Sequence, residues 1–442
     1  SRLGFVLATA GSAVGLGNIW RFPYLAAKYG GGTFLLTYLI LTLTFGFSLM
    51  ITEVALGRRA GTSAIRAFGH FNKKYTFIGY LTTLIPFIIF PYYCVIGGWV
   101  TKYALVSIQG GIHDAASDTF FTGFISKSAE PMICVLVFLI VTTLVVAGGV
   151  KGGIERVSTI MMPVLIVLLI GVSIFCITRP GAMAGVAYYI KPNLKDFSPT
   201  TILAALGQLF YSMSLAMGIM VTFGSYMPKK SDLEKSVTQV EIFDTGVAFL
   251  AGLMIVPAVF IFSNGDSSML AKGPSLMFVM LPKVFNSMAF SSIIAAVFFI
   301  LVLLAALTSS ISLLETLVAV LMDKFHMKRG TACITMFIVA LLLAVPSSLG
   351  FGAWSNITIL GFDFLDFFDF ISNSVLMPIA AFLTCIFVGY IIKPKEIIDE
   401  VESSGEFKRK PLFLVMVKYI APICIVAILV FSVLEGLGFI TV

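Results

Sequence analysis

The chain has 442 residues, of which 59% are hydrophobic and only 12% are charged, and its mean hydropathy is +1.03. Because a soluble domain carries about 25% charged residues, this composition excludes a water-soluble globular protein and predicts an all-α integral membrane protein. The net charge of +7 does not indicate a nucleic-acid-binding protein, since the basic residues are concentrated in loops on one side of the expected topology.

Eleven apolar stretches, each near the ~20 residues that a bilayer requires, predict about eleven transmembrane helices. They lie at roughly 4–29, 33–57, 76–108, 129–148, 153–178, 198–226, 239–263, 288–322, 330–349, 357–391 and 411–436. A cytoplasmic N-terminus puts most lysines and arginines in cytoplasmic loops, as the positive-inside rule requires. We therefore expect a multi-pass protein of the plasma membrane, with a native N-terminal segment that precedes Ser1.

The first span contains its own helix breakers, in the run Gly11–Pro23 with its three glycines, Asn18 and Arg21. Bilayer hydrocarbon offers no water to unpaired backbone groups, so a span is broken only where it lines a site. The carbonyls that a break frees can hold a cation, and its amides can hold a carboxylate. Residues 11–23 are therefore the first candidate for a binding site.

A second break is predicted in the sixth span, at Ser212–Gly218. A single stretch of small residues usually marks close helix packing, but each of these two breaks stands first in a unit of five spans. An odd number of spans gives the two units opposite orientations in the membrane, which is an inverted repeat. The predicted units are residues 1–178 and 179–392, followed by a cytoplasmic loop and the eleventh span at 393–442.

Charged side chains inside spans are energetically costly, so each is a candidate functional residue. The candidates are Arg21, Glu53, Asp244, Asp323, Asp363, Asp366 and Asp369. Asp323 and Asp363 lie near helix ends, where solvent can reach them. We expect Asp244 to take part directly in a site, and Glu53 to accept hydrogen bonds from the free amides of the broken first span.

Catalysis and transition-metal binding are not indicated. The six cysteines fall within apolar spans, where they pack as small hydrophobic residues, and the three histidines are scattered through loops and helix ends. Neither a disulfide framework nor a metal cluster is expected. No nucleophile stands near a base in the pattern, so an enzyme is not predicted.

Motifs in six spans resemble those of the neurotransmitter:sodium symporter family, and its bacterial amino-acid branch in particular. They are Gly11–Pro23, Ile51–Arg58, Tyr92–Trp99, Gly207–Ser214, Leu307–Ile311 and Asp369–Asn373. The resemblance extends over essentially the whole chain. It implies the LeuT-like fold, a 5+5 inverted repeat with broken first and sixth helices. It also implies sodium-coupled symport by alternating access, in a bacterial inner membrane.

The resemblance implies two sodium sites, each made of the oxygen ligands that hard cations prefer. The first would use Ala13, Asn18, Ser212 and Asp244 together with the substrate carboxylate. The second would use carbonyls of Gly11, Val14 and Ala305 and hydroxyls of Thr308 and Ser309. Without the resemblance, hydrogen bonds to the preceding helical turn would explain the last two hydroxyls equally well.

The resemblance also implies an amino-acid site between the two breaks. Its residues would be Ala13, Gly15, Leu16, Gly17, Ile89, Tyr93, Tyr211, Ser212, Ser214, Met217, Ser309 and Leu313. Gly15 stands where monoamine-transporting members carry an aspartate, which implies an α-amino acid whose own carboxylate meets the sodium. Since the side-chain pocket offers no formal charge, we expect a neutral, hydrophobic substrate.

Four residues match the gates of the family. Arg21 and Asp369 correspond to the outer gate, below which Tyr93 and Tyr211 would form an aromatic lid. Tyr226 and Asp323 correspond to the inner gate, and their usual arginine and tryptophan partners would precede Ser1.

Other positions depart from the family pattern. Tyr211 and Ala216 replace a usual phenylalanine and glycine. Asp244 and Ala248 stand where chloride-dependent members have asparagine and serine, which implies chloride independence.

Two alternatives remain open at this stage. One is a symporter of the same fold for a small solute such as glycine or betaine. The other is a non-transporting amino-acid receptor, which would lack a transport cycle but keep the sites. The expected partners are the amino acid, sodium ions and the lipid bilayer, without nucleic acid; the oligomeric state is left open.

Overall fold

The computed structural model describes residues 2–266 and 273–440, and Ser1 lies outside the described residues. Within this part of the chain the regular structure is helical, apart from one isolated antiparallel bridge between Ile359 and Phe362. The all-α fold predicted from composition is confirmed.

Nine helices of the described residues are long and apolar enough to cross a bilayer. They form the second to fifth and seventh to eleventh spans, which are Gly32–Ala60, Lys73–Ile108, Ala129–Ala147, Val150–Ile177, Leu233–Phe262, Ser291–Phe325, Arg329–Leu349, Phe364–Ile391 and Lys410–Gly436. Their order is that of the predicted spans, and they establish a multi-pass membrane protein.

The two remaining spans are broken, as predicted. The first consists of Arg2–Ala13 and Gly17–Lys28, which meet at an angle of 56°. The sixth consists of Pro199–Ser212 and Ile219–Tyr226, separated by residues 213–218. Ser214, Ala216 and Gly218 have φ values of 54°, 63° and 74° in this break. Left-handed backbone costs roughly 1–2 kcal/mol for each residue other than glycine, so the break needs compensating contacts.

The second half of the sixth span, Ile219–Tyr226, packs tightly against the second span. A Cβ atom on Gly57 would lie 1.9 Å from the carbonyl oxygen of Val221, and one on Gly224 would lie 2.3 Å from that of Val54. Each glycine therefore lets the backbone of the other helix approach closely, so the two helices are in direct backbone contact. This contact fixes the break above it relative to the second span.

Two predicted boundaries are wrong. The seventh span begins at Leu233 rather than near residue 239, because the side chain of Asp232 caps it by accepting a hydrogen bond from the backbone N–H of Lys235. The tenth span begins at Phe364 rather than near residue 357, because residues 351–363 form turns before it. Asp363 is the cap of this helix and accepts from the N–H of Asp366 at 2.8 Å.

Candidate functional site

The two breaks lie against each other in the middle of the protein. The hydroxyl of Ser214 donates to the carbonyl oxygen of Ser12 at 3.1 Å, and the two serine hydroxyls are 3.3 Å apart. Ser309 of the eighth span donates to the same carbonyl at 3.1 Å. Three spans therefore meet at the carbonyl that the first break sets free.

A small cavity of about 40 Å³ lies between the breaks. It is lined by Ser12, Ala13, Gly15, Leu16, Gly17, Asn18, Ile89, Tyr93, Tyr211, Ser212, Ser214, Met217, Ile219, Ser309 and Leu313. All of the residues expected to contact an amino acid are in this lining. Ser12 and Ile219 are not among the individually predicted residues, although Ser12 lies within the first predicted break and Ile219 directly follows the second.

One polar atom, the hydroxyl of Tyr93, and the close approach of other side chains to Gly15 and Gly17 suit this cavity to a small carboxylate. The hydroxyl of Tyr93 is buried and has no hydrogen-bond partner within the described structure. A Cβ atom on Gly15 would lie 2.5 Å from the Ser309 hydroxyl, and one on Gly17 would lie 2.6 Å from the ring of Tyr211. Larger residues at these two positions would therefore fill the cavity.

The residues expected to form the first sodium site converge on a buried carboxylate. Asp244 is 0% exposed and accepts from the side-chain amide of Asn18 at 2.9 Å and from the hydroxyl of Ser212 at 3.0 Å. The amide oxygen of Asn18 accepts from the N–H of Gly15 at 3.1 Å. Ala13 lines the cavity beside them. This donor set of carboxylate, amide and hydroxyl oxygens fits a hard monovalent cation.

The residues expected to form the second sodium site lie where the eighth span crosses the first break. The hydroxyl of Thr308 donates to the carbonyls of Ala305 at 3.0 Å and Val14 at 3.4 Å, and that of Ser309 also donates to Val14, at 3.1 Å. A Cβ atom on Gly11 would lie 3.2 Å from the Cβ of Thr308. The hydroxyls thus reach across to another span, beyond their own helical turn.

Glu53 contacts the break of the sixth span, whereas a contact with the break of the first span was predicted. Its Oε1 accepts a hydrogen bond from the N–H of Ala216 at 2.7 Å, and its Oε2 has no partner within the described structure. The expectation that it holds the first span is therefore wrong. Ala216 has a positive φ inside the break of the sixth span. Its N–H therefore does not donate to a carbonyl of the preceding helical turn, and it donates instead to the buried carboxylate of Glu53 in the second span.

Arg21 and Asp369 line one larger cavity of about 460 Å³, which also contacts the ring of Tyr211. Within the described structure they form no ion pair. The guanidinium of Arg21 lies 5.2 Å from the centroid of the Tyr211 ring. Asp369 accepts instead from Tyr92 at 3.0 Å and from the side chain of Asn373 at 2.5 Å. Tyr211 lines both cavities, so its ring separates the larger one from the smaller one.

Asp323 and Tyr226, on the opposite side of the breaks, belong to two separate networks. Asp323 accepts from the hydroxyl of Ser63 at 2.6 Å and pairs with Arg66 at 3.2 Å. The hydroxyl of Tyr226 donates to Glu315 at 2.6 Å.

Glu315 is a fully buried carboxylate of the eighth span that pairs with Arg329 at 2.7 Å. It is not among the predicted residues, although its charge inside an apolar run is the same signal that identified Asp244. Gln208 was also not predicted, and its side chain donates to the carbonyl of Gly17 at 2.9 Å.

The family model described as the sodium:neurotransmitter symporter family matches residues 1–123 and 116–437 of this chain. The chain belongs to the sodium:neurotransmitter symporter family. It is 36% identical to the uncharacterized sodium-dependent transporter YhdH of Bacillus subtilis, over 97% of this chain and 96% of the relative. It is 34% identical to an uncharacterized sodium-dependent transporter of Haemophilus influenzae, with the same coverage of both.

A solved structure of this fold, the crystal structure of MhsT in complex with L-phenylalanine, matches with a TM-score of 0.87 and 39% sequence identity. The match covers 98% of each chain. These matches confirm the family resemblance that the motifs indicated, and they confirm the LeuT-like fold. The protein is a sodium-dependent symporter of this family, which consists of transporters rather than enzymes.

Proposed function

We propose that this symporter imports a neutral, hydrophobic L-amino acid together with two sodium ions, by alternating access and without chloride. The observation that carries the substrate proposal is the cavity between the two breaks. It places the free hydroxyl of Tyr93 near the first break and an uncharged wall that includes Ile89, Met217 and Leu313. In the proposed pose the amides of the first break and Tyr93 hold the carboxylate of the amino acid. The phenylalanine bound to MhsT supports this substrate class.

Two separate sets of oxygen donors support two sodium ions for each substrate. One set centres on Asp244 and the other on Thr308 and Ser309. Two positive charges moving through about 100 mV contribute roughly 4.6 kcal/mol. Two tenfold sodium gradients add about 2.8 kcal/mol. If no charge returns, the total of about 7.4 kcal/mol sustains accumulation on the order of 10⁵-fold.

The buried charge of Asp244 supports chloride independence. A fixed carboxylate balances clustered cations, as a bound anion would do in its place. Ala248, one helical turn further along the seventh span, is fully buried and has no group that coordinates an anion.

We further propose that the cytoplasmic side is the one that carries the N-terminus, and that the inverted repeat has the units 1–178 and 179–392. Arg21 and Asp369 would then form the gate on the extracellular side, at the larger cavity. Asp323 and Tyr226 would form the gate on the cytoplasmic side. The basic loops support this orientation through the positive-inside rule.

The decisive experiment is uptake of radiolabelled leucine or phenylalanine into proteoliposomes with an inward sodium gradient. Competition by each of the twenty amino acids, with glycine among them, and by betaine ranks the substrates. We expect hydrophobic amino acids to compete and uptake to require sodium. Undiminished uptake with sodium replaced by potassium would reject the proposal, whereas binding without uptake would indicate a receptor of the same fold.

A further inference from the structure

Lys418 is a charged side chain within a transmembrane helix, and it belongs to none of the sites described above. It lies in the π-helical turn Met416–Ile420 of the eleventh span and is half-buried. Its ammonium group has no ion pair or hydrogen bond to any residue that the structure describes. Because a lysine within a span is costly, this position suits a partner of opposite charge.

The stem of Lys418 packs beside the end of the tenth span. A Cβ atom on Gly389 would be 3.7 Å from both Cα and Cγ of Lys418, which is ordinary van der Waals contact. A side chain larger than alanine would press on the lysine stem, so the glycine leaves a shallow groove there. The hydroxyl of Tyr390 donates to the carbonyl oxygen of Lys418 at 2.6 Å. Since the tenth span ends at Ile391, this contact puts Lys418 near the level of the membrane surface.

The direction of the helix carries the ammonium group further toward that surface. Helical side chains lean toward the N-terminus of their own helix, and the eleventh span begins on the side where the tenth ends. Tyr390 and Tyr419 are 50% and 58% exposed, as is typical of tyrosines at a membrane interface. Lys393 follows the tenth span and is exposed on the same side.

Neither Lys393 nor Lys418 forms an ion pair with a residue that the structure describes. Of the five carboxylates between the two spans, three pair with other basic side chains, at 3.1, 2.7 and 2.8 Å, and these are Glu396, Glu400 and Glu402. The other two, Asp399 and Glu406, are exposed. The end of the groove therefore presents the positive charges of Lys393 and Lys418 to the membrane surface.

We propose that this groove binds the phosphate headgroup of an anionic phospholipid. The groove comprises Gly389, Tyr390, Lys393, Lys418 and Tyr419. Basic pockets between transmembrane helices at the membrane surface suit such headgroups.

An exposed apolar stripe provides the path for the acyl chains. Ile423, Val426 and Val430 continue along the eleventh span from Tyr419, at helical spacing, and all three are exposed. A free phosphate ion has the same headgroup chemistry, but the adjoining apolar stripe favours a lipid.

The test is native mass spectrometry of the purified, full chain in detergent, with added dioleoylphosphatidylglycerol, dioleoylphosphatidylcholine or inorganic phosphate. The variants are Lys418→Gln, Lys418→Arg and, as the matched control, Lys410→Gln on the same span. We expect one tightly held phosphatidylglycerol in the wild type and roughly five-fold weaker binding in Lys418→Gln, at about 1 kcal/mol for each lysine near a membrane surface. Lys418→Arg and Lys410→Gln should bind as the wild type does.

A second variant keeps the proposal testable if Lys418→Gln does not fold. Gly389→Leu fills the space of the lysine stem while the charge remains, and it should lose phosphatidylglycerol to a similar extent. The proposal is overturned if both variants bind this lipid like the wild type, or if phosphatidylcholine binds equally well. Displacement of the lipid by inorganic phosphate at millimolar concentration, or occupation of the groove by a second copy of the chain, would also overturn it.

Discussion

The side-chain amide of Asn18 donates to the carboxylate of Asp244 at 2.9 Å, and this bond joins the break of the first span to the middle of the seventh. Ser212 brings the break of the sixth span to the same carboxylate, at 3.0 Å. All of these donors are uncharged, while the acceptor is fully buried. Since a buried charge without a counter-charge is costly, this junction is the place in the protein where a bound cation would contribute most.

Asp244→Asn should weaken sodium dependence while keeping the shape of the site. Loss of the fixed charge should raise the sodium concentration for half-maximal substrate binding on the order of tenfold or more, where tenfold corresponds to about 1.4 kcal/mol. The measurement is a sodium titration of labelled-substrate binding. Asp399→Asn, an exposed carboxylate on the short helix Lys395–Glu402, is the control. Equal sodium dependence of the wild type and Asp244→Asn would remove this residue from the proposed site.

Replacement of chloride by gluconate should leave substrate binding of the wild type unchanged, because the charge of Asp244 is part of the protein. The double variant Asp244→Asn, Ala248→Ser should acquire chloride dependence, since it replaces the fixed charge with groups that suit a mobile anion. Binding assays in the two salts check both statements. Loss of wild-type binding in gluconate would contradict the proposed independence of chloride.

Gly15→Ala and Gly17→Ala should each reduce substrate binding severely. The added Cβ atoms would lie 2.5 Å from the Ser309 hydroxyl and 2.6 Å from the Tyr211 ring, respectively. Gly171→Ala is the matched control, because a Cβ atom at that position meets no other atom within 4 Å. Equilibrium binding, with thermal stability measured in parallel, separates a filled cavity from a misfolded protein. Wild-type affinity in both variants would show that the substrate does not use this cavity.

Glu53→Gln should be tolerated, whereas Glu53→Ala should not. Glutamine keeps an oxygen that can accept from the N–H of Ala216, which Glu53 contacts at 2.7 Å. Alanine leaves that buried N–H without a partner, at a cost of roughly 1–3 kcal/mol. The expected result is a lower thermal midpoint and reduced uptake for the alanine variant alone. Equal losses in both variants would instead indicate that the charge of Glu53 is required.

Hydropathy was enough to predict the spans, and the runs of small and helix-breaking residues were enough to predict both breaks, because each of these signals is local in the sequence. The side-chain contacts between spans were harder to predict from the sequence. The partner of Glu53 depends on which N–H the sixth span frees at Ala216, and this is decided by the positive φ of that residue. Arg21 and Asp369 line one cavity but contact different side chains, and no local pattern specifies this arrangement.

Glu315 and Lys418 also lie within predicted spans and were not predicted as functional residues. A charge inside an apolar run is the same signal that identified Asp244, but the sequence does not show which of these charges are buried or what they contact. Only the structure distinguishes them. Glu315 is fully buried against Arg329, while Lys418 lies half-buried beside Gly389.

Pro163→Ala should slow turnover while leaving equilibrium affinities nearly intact. The fifth span begins with the π-helical turn Val150–Glu155, and Pro163 lies inside the helix that follows. A Cβ atom on Gly153 would lie 2.0 Å from the carbonyl oxygen of Val145, so this turn packs closely on the fourth span. Proline removes one helical hydrogen bond and glycine lowers the cost of leaving helical geometry. Both residues therefore favour local unwinding, which would admit water toward the proposed second sodium site.

Alanine at position 163 restores the missing hydrogen bond and should make unwinding rarer. We expect a lower uptake rate, unchanged sodium and substrate binding, and slower hydrogen exchange at residues 153–163. Pro346→Ala, inside the helix of the ninth span, is the control and should change none of these quantities at that segment. If Pro163→Ala shows both the wild-type uptake rate and the wild-type exchange at residues 153–163, Pro163 serves only packing and the release pathway lies elsewhere.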